Sequence, residues 1–286
     1  MNAQPLRIEP LGGAIGAEIH GADLRAPLSA GVLDEIKAAL WEHLVVFFPA
    51  QHLTPEEQCA FTRCFGPLVR PAAAPSVDGY PDVTLVERKA DAPRDVTNFG
   101  GVWHSDQSFR EFPAAGFTLA AVELPPHGGD TMFANLYEAY ATLSAGMRAL
   151  LDPLVAIHSS AAADDPDRGY HDPDGTSQLH VALPDVEHPL VRVHPETHRK
   201  LLYVSGSWIA RFKDMTPIES RPLLDFLHAH ATRPEFTCRY RWTPGALALL
   251  DNRCTQHFAI NDYPGYRRVM HRVMFAGERP LGEKEN

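Results

Sequence analysis

The 286-residue chain lacks the features that mark membrane, secreted or nucleic-acid-binding proteins. No apolar run approaches the roughly 20 residues that span a bilayer. The opening stretch MNAQPLRIEPLGGAIGAEI shows no basic segment followed by an apolar one, so no signal peptide is expected. Cysteine is scarce: Cys59, Cys64, Cys238 and Cys254 form no Cys-x-x-Cys pair. They are expected to be reduced core thiols of a cytoplasmic protein, not disulfides or zinc ligands. Positive charge is short as well, with 26 Lys and Arg against 36 Asp and Glu and a net charge of −10. That balance excludes the concentrated basic surface a nucleic-acid partner needs, yet permits a locally basic pocket for an anion.

What is present is ordinary core-forming composition and strong local punctuation. Ser29 reads as the N-cap of a helix in which Leu33, Ile36, Ala39 and Leu40 recur at helical spacing. Thr54-Pro55-Glu56-Glu57 and Thr216-Pro217-Ile218-Glu219 each combine an N-cap, an early proline and a glutamate able to close a capping box. The first of these helices is expected to stop at Gly66. Residues 6–24 read as one or two short strands around a tight turn, and 44–48 as a buried strand. Further strands are expected at 116–123, 131–134, 201–204, 236–242, 246–250 and 267–275. Many strands, few helices and no alternating βαβ rhythm argue against a doubly wound sheet. They predict a mainly β fold with flanking helices, an antiparallel sandwich or jelly roll. One domain over 1–286 is expected, with a lid or loop at 161–187, where the chain is polar and rich in Pro, Gly and Asp.

The chemistry begins at GGVWHSDQSF, residues 100–109. On an extended segment His104 and Asp106 project to one side, so both can reach one ion. With 15 histidines in the chain, one His-x-Asp is weak evidence. Taken alone, His104 is equally a core or surface histidine and Asp106 a turn residue. A third ligand must come from elsewhere, and DNRCTQHFAINDYPGYRRVMHRVMF offers His257 in a turn-rich stretch after the 246–250 strand. Two histidines and one carboxylate leave three positions open, which suits a non-haem Fe(II) centre. Arg268 and Arg272 lie four apart on a predicted strand and so share a face. They are either solvated surface cations or interior anchors for anions, and arginine matches a carboxylate through paired contacts.

Three blocks, WHSDQSF, ELPPHGGDTMFANLYEAY and DNRCTQHFAINDYPGYRRVMHR, resemble the signatures of the taurine dioxygenase / phenoxy-herbicide (aryloxyalkanoate) dioxygenase family. The resemblance runs from the N-terminal EPLGGAIGAEIHGADL to about Pro280. It implies an Fe(II)- and 2-oxoglutarate-dependent oxygenase on a double-stranded β-helix, a jelly roll, using O₂ and releasing succinate and CO₂. His104, Asp106 and His257 match the iron ligands. Thr131, in GGDT, and Arg268 match the pair that binds the distal carboxylate of 2-oxoglutarate. Arg272 matches the arginine that holds the substrate's acidic group. Asn98, and with it Arg70 and Tyr203, are candidates for the pocket wall. Taurine-specific members place polar groups where this chain has Ala72–Ala74 and Gly100, so the resemblance implies a less polar lining with room for a bulkier organic anion. Leu250 stands where the family block has Trp. The resemblance further implies a homo-oligomer, a dimer or tetramer. The rival readings are a zinc-dependent jelly-roll hydrolase, which needs no paired arginines, and a non-catalytic metal- or anion-binding module.

Overall fold

A computed structural model of the chain describes residues 6–70, 75–93, 100–164 and 183–283. The first third runs β1 (Arg7–Pro10), β2 (Ala17–His20), α1 (Ala30–His43), β3 (Val45–Phe48), α2 (Pro55–Arg63), β4 (Leu68–Val69), β5 (Ser76–Val77) and β6 (Tyr80–Arg88). The middle adds β7 (Gly116–Glu123), β8 (Thr131–Asn135), α3 (Leu136–Ala141), α4 (Ala145–Leu151), β9 (Val155–His158), β10 (Val186–Pro189), β11 (Val191–Val193), β12 (Lys200–Leu202) and β13 (Ile209–Phe212). The last part comprises α5 (Pro217–Ala231), β14 (Thr237–Tyr240), β15 (Leu247–Asp251), β16 (Thr255–Ala259) and β17 (Arg268–Phe275).

The helices start where side chains can satisfy their orphan N–H groups. Ser29 accepts from Val32 N–H at α1, and both predicted capping boxes close, Thr54 with Glu57 at α2 and Thr216 with Glu219 at α5. α2 ends at Arg63, short of Gly66. Beyond it the N–H groups of Cys64, Phe65 and Gly66 bond to the carbonyls three residues back, so a tightened turn carries the chain to the glycine.

A large sheet has the order β1-β2-β3-β15-β7-β17-β6-β5, with β4 also pairing β17, and a smaller sheet has the order β14-β8-β16. Only β2–β3 is parallel among the described pairings. Period-two alternation decides which side chains face inward. On β3, Phe47 points to the small sheet, stacking on Tyr240 and meeting Phe133 edge-on. Val46 and Phe48 point the other way, into a second cluster with Ile36, Ala39 and Leu40 of α1. β15 is buried throughout because both its faces are covered, and Leu250 lies wholly inside. Each such Leu or Phe contributes about 1.5–3 kcal/mol by leaving water. The expected mainly β jelly-roll architecture with flanking helices is what the chain adopts, as two facing sheets with α1 and α2 on the outer side of the larger and α3 and α5 against β12 and β13.

Two expectations are corrected. His257 does not sit in a turn: it is in the middle of β16, paired with Phe133 of β8. His104 and Asp106 do not share a strand either. His104 makes an isolated antiparallel bridge to His257, and the chain turns after Asp106 through Gln107, whose φ is 56°. Both differences arise from pairing between segments far apart in sequence. Of the lid expected at 161–187, residues 165–182 lie outside the described residues. Its flanks are a 3-10 turn at Ser160–Asp164 and the start of β10.

Candidate functional site

The short turn between β15 and β16 returns the chain so that His257 faces the His104 segment. His257 N–H donates to the His104 carbonyl at 2.8 Å, and His104 N–H donates to the His257 carbonyl at 3.2 Å. Directly opposed residues present side chains to the same side, and the two imidazole centroids are 4.1 Å apart. His104 Nδ1 lies 2.7 Å from the Val102 carbonyl. A carbonyl only accepts, so a proton is on Nδ1 and Nε2 is the ring nitrogen turned toward Asp106. That Nε2 is 3.4 Å from Asp106 Oδ1, and His257 Nε2 is 4.0 Å from the same oxygen. The three side chains are buried, and each offers a ligand atom within 4.8 Å of the others.

The electrostatics keep Asp106 and His257 in their ligating forms. Burial would raise the Asp106 carboxyl, but the Arg272 guanidinium and the two imidazoles outweigh it and hold the group well below the usual carboxylate range. Burial, with the neighbouring His104, pushes His257 down to about 3, so its ring is neutral at physiological pH. His257 Nδ1 has no hydrogen-bond partner among the described residues. Gly100 flanks the site at φ 80°, and a Cβ there would meet His104 Cε1 at 3.3 Å. Glycine at this position therefore answers to backbone conformation and to the close imidazole as well as to the absence of a polar side chain.

β17 supplies the cations. Arg268 and Arg272 are 5% and 6% exposed, which removes the reading of solvated surface charges. Arg272 Nη1 donates to Asp106 Oδ2 at 2.7 Å, so one carboxylate oxygen is taken and the other faces the histidines. Arg268 differs: no carboxylate among the described residues pairs with its guanidinium, and its Nε, like that of Arg272, meets no acceptor. Burial lowers its pKa against the pull of Tyr263 and Asp130. An unpaired buried guanidinium is costly unless an anion meets it. The GGDT segment lies against this arginine. A Cβ on Gly129, at φ 72°, would stand 3.1 Å from Arg268 Cδ. Two residues on, Thr131 Oγ1 accepts from Trp242 Nε1 at 2.9 Å.

Of the other sequence candidates, Asn98 and Ala72–Ala74 lie outside the described residues. Arg70 is exposed, and Tyr203 packs in a buried polar cluster with His158, His188 and Arg192. Sequence reasoning did not single out Asn252, whose side chain reaches the backbone of Asp106. Its one signal is position: a polar residue between two charged ones directly after a buried strand.

Two imidazole nitrogens and one carboxylate oxygen, convergent, buried and with unused valence, fit a divalent first-row cation that keeps further positions open. The unpartnered Arg268, with Gly129 of the GGDT segment against it, offers paired donors to a carboxylate.

The family model described as "Taurine catabolism dioxygenase TauD, TfdA family" matches residues 7–274. An alpha-ketoglutarate-dependent sulfate ester dioxygenase of Pseudomonas putida is 37% identical over 290 residues, covering 98% of this chain and 93% of the relative. An (S)-phenoxypropionate/alpha-ketoglutarate dioxygenase of Sphingobium herbicidovorans is 35% identical over 283 residues, covering 95% of each chain. The crystal structure of a taurine dioxygenase from Burkholderia xenovorans superposes with a TM-score of 0.82 at 37% identity, covering 98% of this chain and 94% of that one. With the match spanning nearly its whole length, the chain belongs to the TauD/TfdA family and is a dioxygenase of the non-haem Fe(II), 2-oxoglutarate-dependent class.

Proposed function

We propose that this chain hydroxylates a small organic anion at an Fe(II) centre held by His104, Asp106 and His257, with 2-oxoglutarate and O₂ as cosubstrates. The observation that carries the reading is the convergence of these three buried donors on one point. When bound, iron with the cosubstrates supplies the oxidising chemistry, in which 2-oxoglutarate becomes succinate and CO₂ and one oxygen atom enters a C–H bond of the substrate.

The chain's own residues set up that reaction. The three ligands would hold the ion and leave further positions to the cosubstrates. Thr131 and Arg268 fix the distal carboxylate of 2-oxoglutarate, so its oxo-acid end points at the ligand set. Arg272 holds Asp106 Oδ2 and directs Oδ1 toward the metal position; with Asn98 it also meets the anionic group of the substrate. Burial of the ligands excludes water, which strengthens each of these charge contacts.

The substrate proposed is a sulfonate, a sulfate ester or an aryloxy or alkyl carboxylate. The activities of the relatives, on a sulfate ester and a phenoxypropionate, support those classes. A hydrolase using zinc would leave the buried Arg268 without a task, and the family match does not favour it or a non-catalytic module. We take residues 1–286 as one domain, because β1–β3 and the C-terminal β15 and β17 share one sheet. No helix among the described residues is long and apolar enough to cross a membrane. The four cysteines are free, which supports a cytoplasmic setting, and the working assembly is a homodimer or homotetramer without nucleic-acid or membrane partners.

The test is succinate release from 2-oxoglutarate across a panel of such anions. Turnover that needs Fe(II), O₂ and one of the anions is expected. Absence of succinate with every anion, or turnover undiminished without iron, contradicts the reading.

A further inference from the structure

We infer that Asn252 is a positioning residue for the metal centre: its side-chain amide sets the backbone of Asp106 and so aims the ligating carboxylate. The inference rests on the reading of Asp106 as a ligand. Asn252 is 1% exposed. Its Oδ1 accepts from Asp106 N–H at 2.7 Å, and its Nδ2 donates to the Asp106 carbonyl at 2.9 Å. The second Nδ2 hydrogen goes to the Ala114 carbonyl at 2.9 Å, and Asn252 N–H donates to the Ala115 carbonyl at 2.9 Å. The amide thus imitates a strand partner for one residue, taking both backbone groups of Asp106 and tying them to the chain entering β7.

The residue so held needs holding. Asp106 follows the single bridge at His104 and is itself in no strand. Gln107 directly after it sits at φ 56°, a left-handed conformation disfavoured for a side chain of this type. Without a partner at Asp106, the turn could relax and swing the carboxylate off the histidine pair. The neighbouring Ser105 is fixed by other groups, its Oγ donating to the Thr255 carbonyl at 2.7 Å and its carbonyl accepting from Trp208 Nε1 at 3.0 Å. Asn252 alone supplies hydrogen bonds to the backbone of Asp106 among those the structure gives. One segment, Asp251–His257, therefore carries one ligand and aims another.

Only an amide meets this pattern. In Asn252→Asp the shape is kept, but an oxygen replaces Nδ2 and faces two carbonyl oxygens that need a donor. The experiment titrates the metal-free full chain with Co(II), using wild type, Asn252→Asp and Asp106→Ala, each first shown folded by its melting curve. Asn252→Asp is expected to bind Co(II) about tenfold to a hundredfold more weakly, the range seen when outer groups that orient ligands are lost. A residue of purely structural role would lower the melting temperature and leave the affinity of the folded protein alone. Wild-type affinity in folded Asn252→Asp, with binding lost in Asp106→Ala, overturns the positioning role. Retained binding in Asp106→Ala overturns the ligand assignment instead. Should Asn252→Asp not fold, hydrogen exchange of the Asp106 amide in metal-free wild type, labelled with ¹⁵N-aspartate, decides. Strong protection is expected, and exchange at the rate of an open loop overturns the inference.

Discussion

Two buried clusters of similar donor type lie at the two ends of the segment Asp251–His257, and they are wired differently. At one end His194, Asp251 and Cys254 bring ligand atoms within 4.8 Å of one another; at the other, His104, Asp106 and His257 do the same. In the first, both Asp251 oxygens are taken. Arg253 Nε and backbone N–H donate to Oδ1 at 2.9 and 3.0 Å, while Arg253 Nη2 and His194 Nε2 meet Oδ2 at 2.7 and 3.0 Å. His194 Nδ1 in turn accepts from the N–H groups of Glu196 and Thr197, each at 3.2 Å. Burial, and then Asp251, push the Cys254 thiol well up, so it stays protonated. In the second cluster Arg272 takes only Asp106 Oδ2, and Oδ1 faces the two imidazoles at 3.4 and 4.0 Å. Residue type does not separate a lock from a metal site; unsatisfied valence does.

The largest effect is expected from Asp106→Ala, which should abolish iron-dependent succinate release; full activity in this variant would remove the triad from the mechanism. Next is Arg268→Ala, which should raise the 2-oxoglutarate KM by about two orders of magnitude, equivalent to about 2.7 kcal/mol of lost charge-assisted contact. An unchanged KM would show that the guanidinium meets no cosubstrate.

In the locked cluster the loss should appear in stability. Asp251→Asn leaves the buried Arg253 with only Glu196 and Glu278, at 4.0 and 3.9 Å, and should cost about 3 kcal/mol in denaturant unfolding. A cost near zero would erase the contrast between the clusters. Acid should reach the fold through buried histidines, His257 of the open cluster and two outside both clusters. Burial places His188 at about 4 and His158 well below the ordinary 6.5, with the neighbouring His188 adding to the latter. The unfolded chain therefore binds more protons than the native one from about pH 6.5 down to about 4, and stability falls as pH falls through that window. His188→Gln should flatten the fall, as followed by urea midpoints at several pH values; an unaltered slope would assign it elsewhere. The smallest effect belongs to Gly100→Ala, whose φ of 80° predicts a stability loss of about 1 kcal/mol and a few-fold weaker metal binding through His104.

Local signals made some of this legible. Ser29, Thr54 and Thr216 announced their helices because capping is decided within four residues. The fold class followed from strand spacing and the absence of βαβ rhythm. His104, Asp106 and His257 were reachable because His-x-Asp and one downstream histidine match a chemical need as well as a family pattern. β16 escaped because TQHFA lacks clean alternation, and its extended form comes from pairing with β8. Asn252 escaped for a similar reason: its partner Asp106 stands in another block, and nothing local in DNR reveals it. At Gly100 the sequence shows only a missing side chain, whereas a left-handed φ and the nearby imidazole require glycine there.

The most direct measurement is an anaerobic titration of the metal-free chain with Fe(II), counting equivalents bound by wild type, Asp106→Ala and Cys254→Ala. One equivalent in wild type and in Cys254→Ala, with none in Asp106→Ala, is the result expected of one open and one closed cluster. A bound equivalent that survives Asp106→Ala, or disappears in Cys254→Ala, would place the metal at the wrong end of the segment and contradict it.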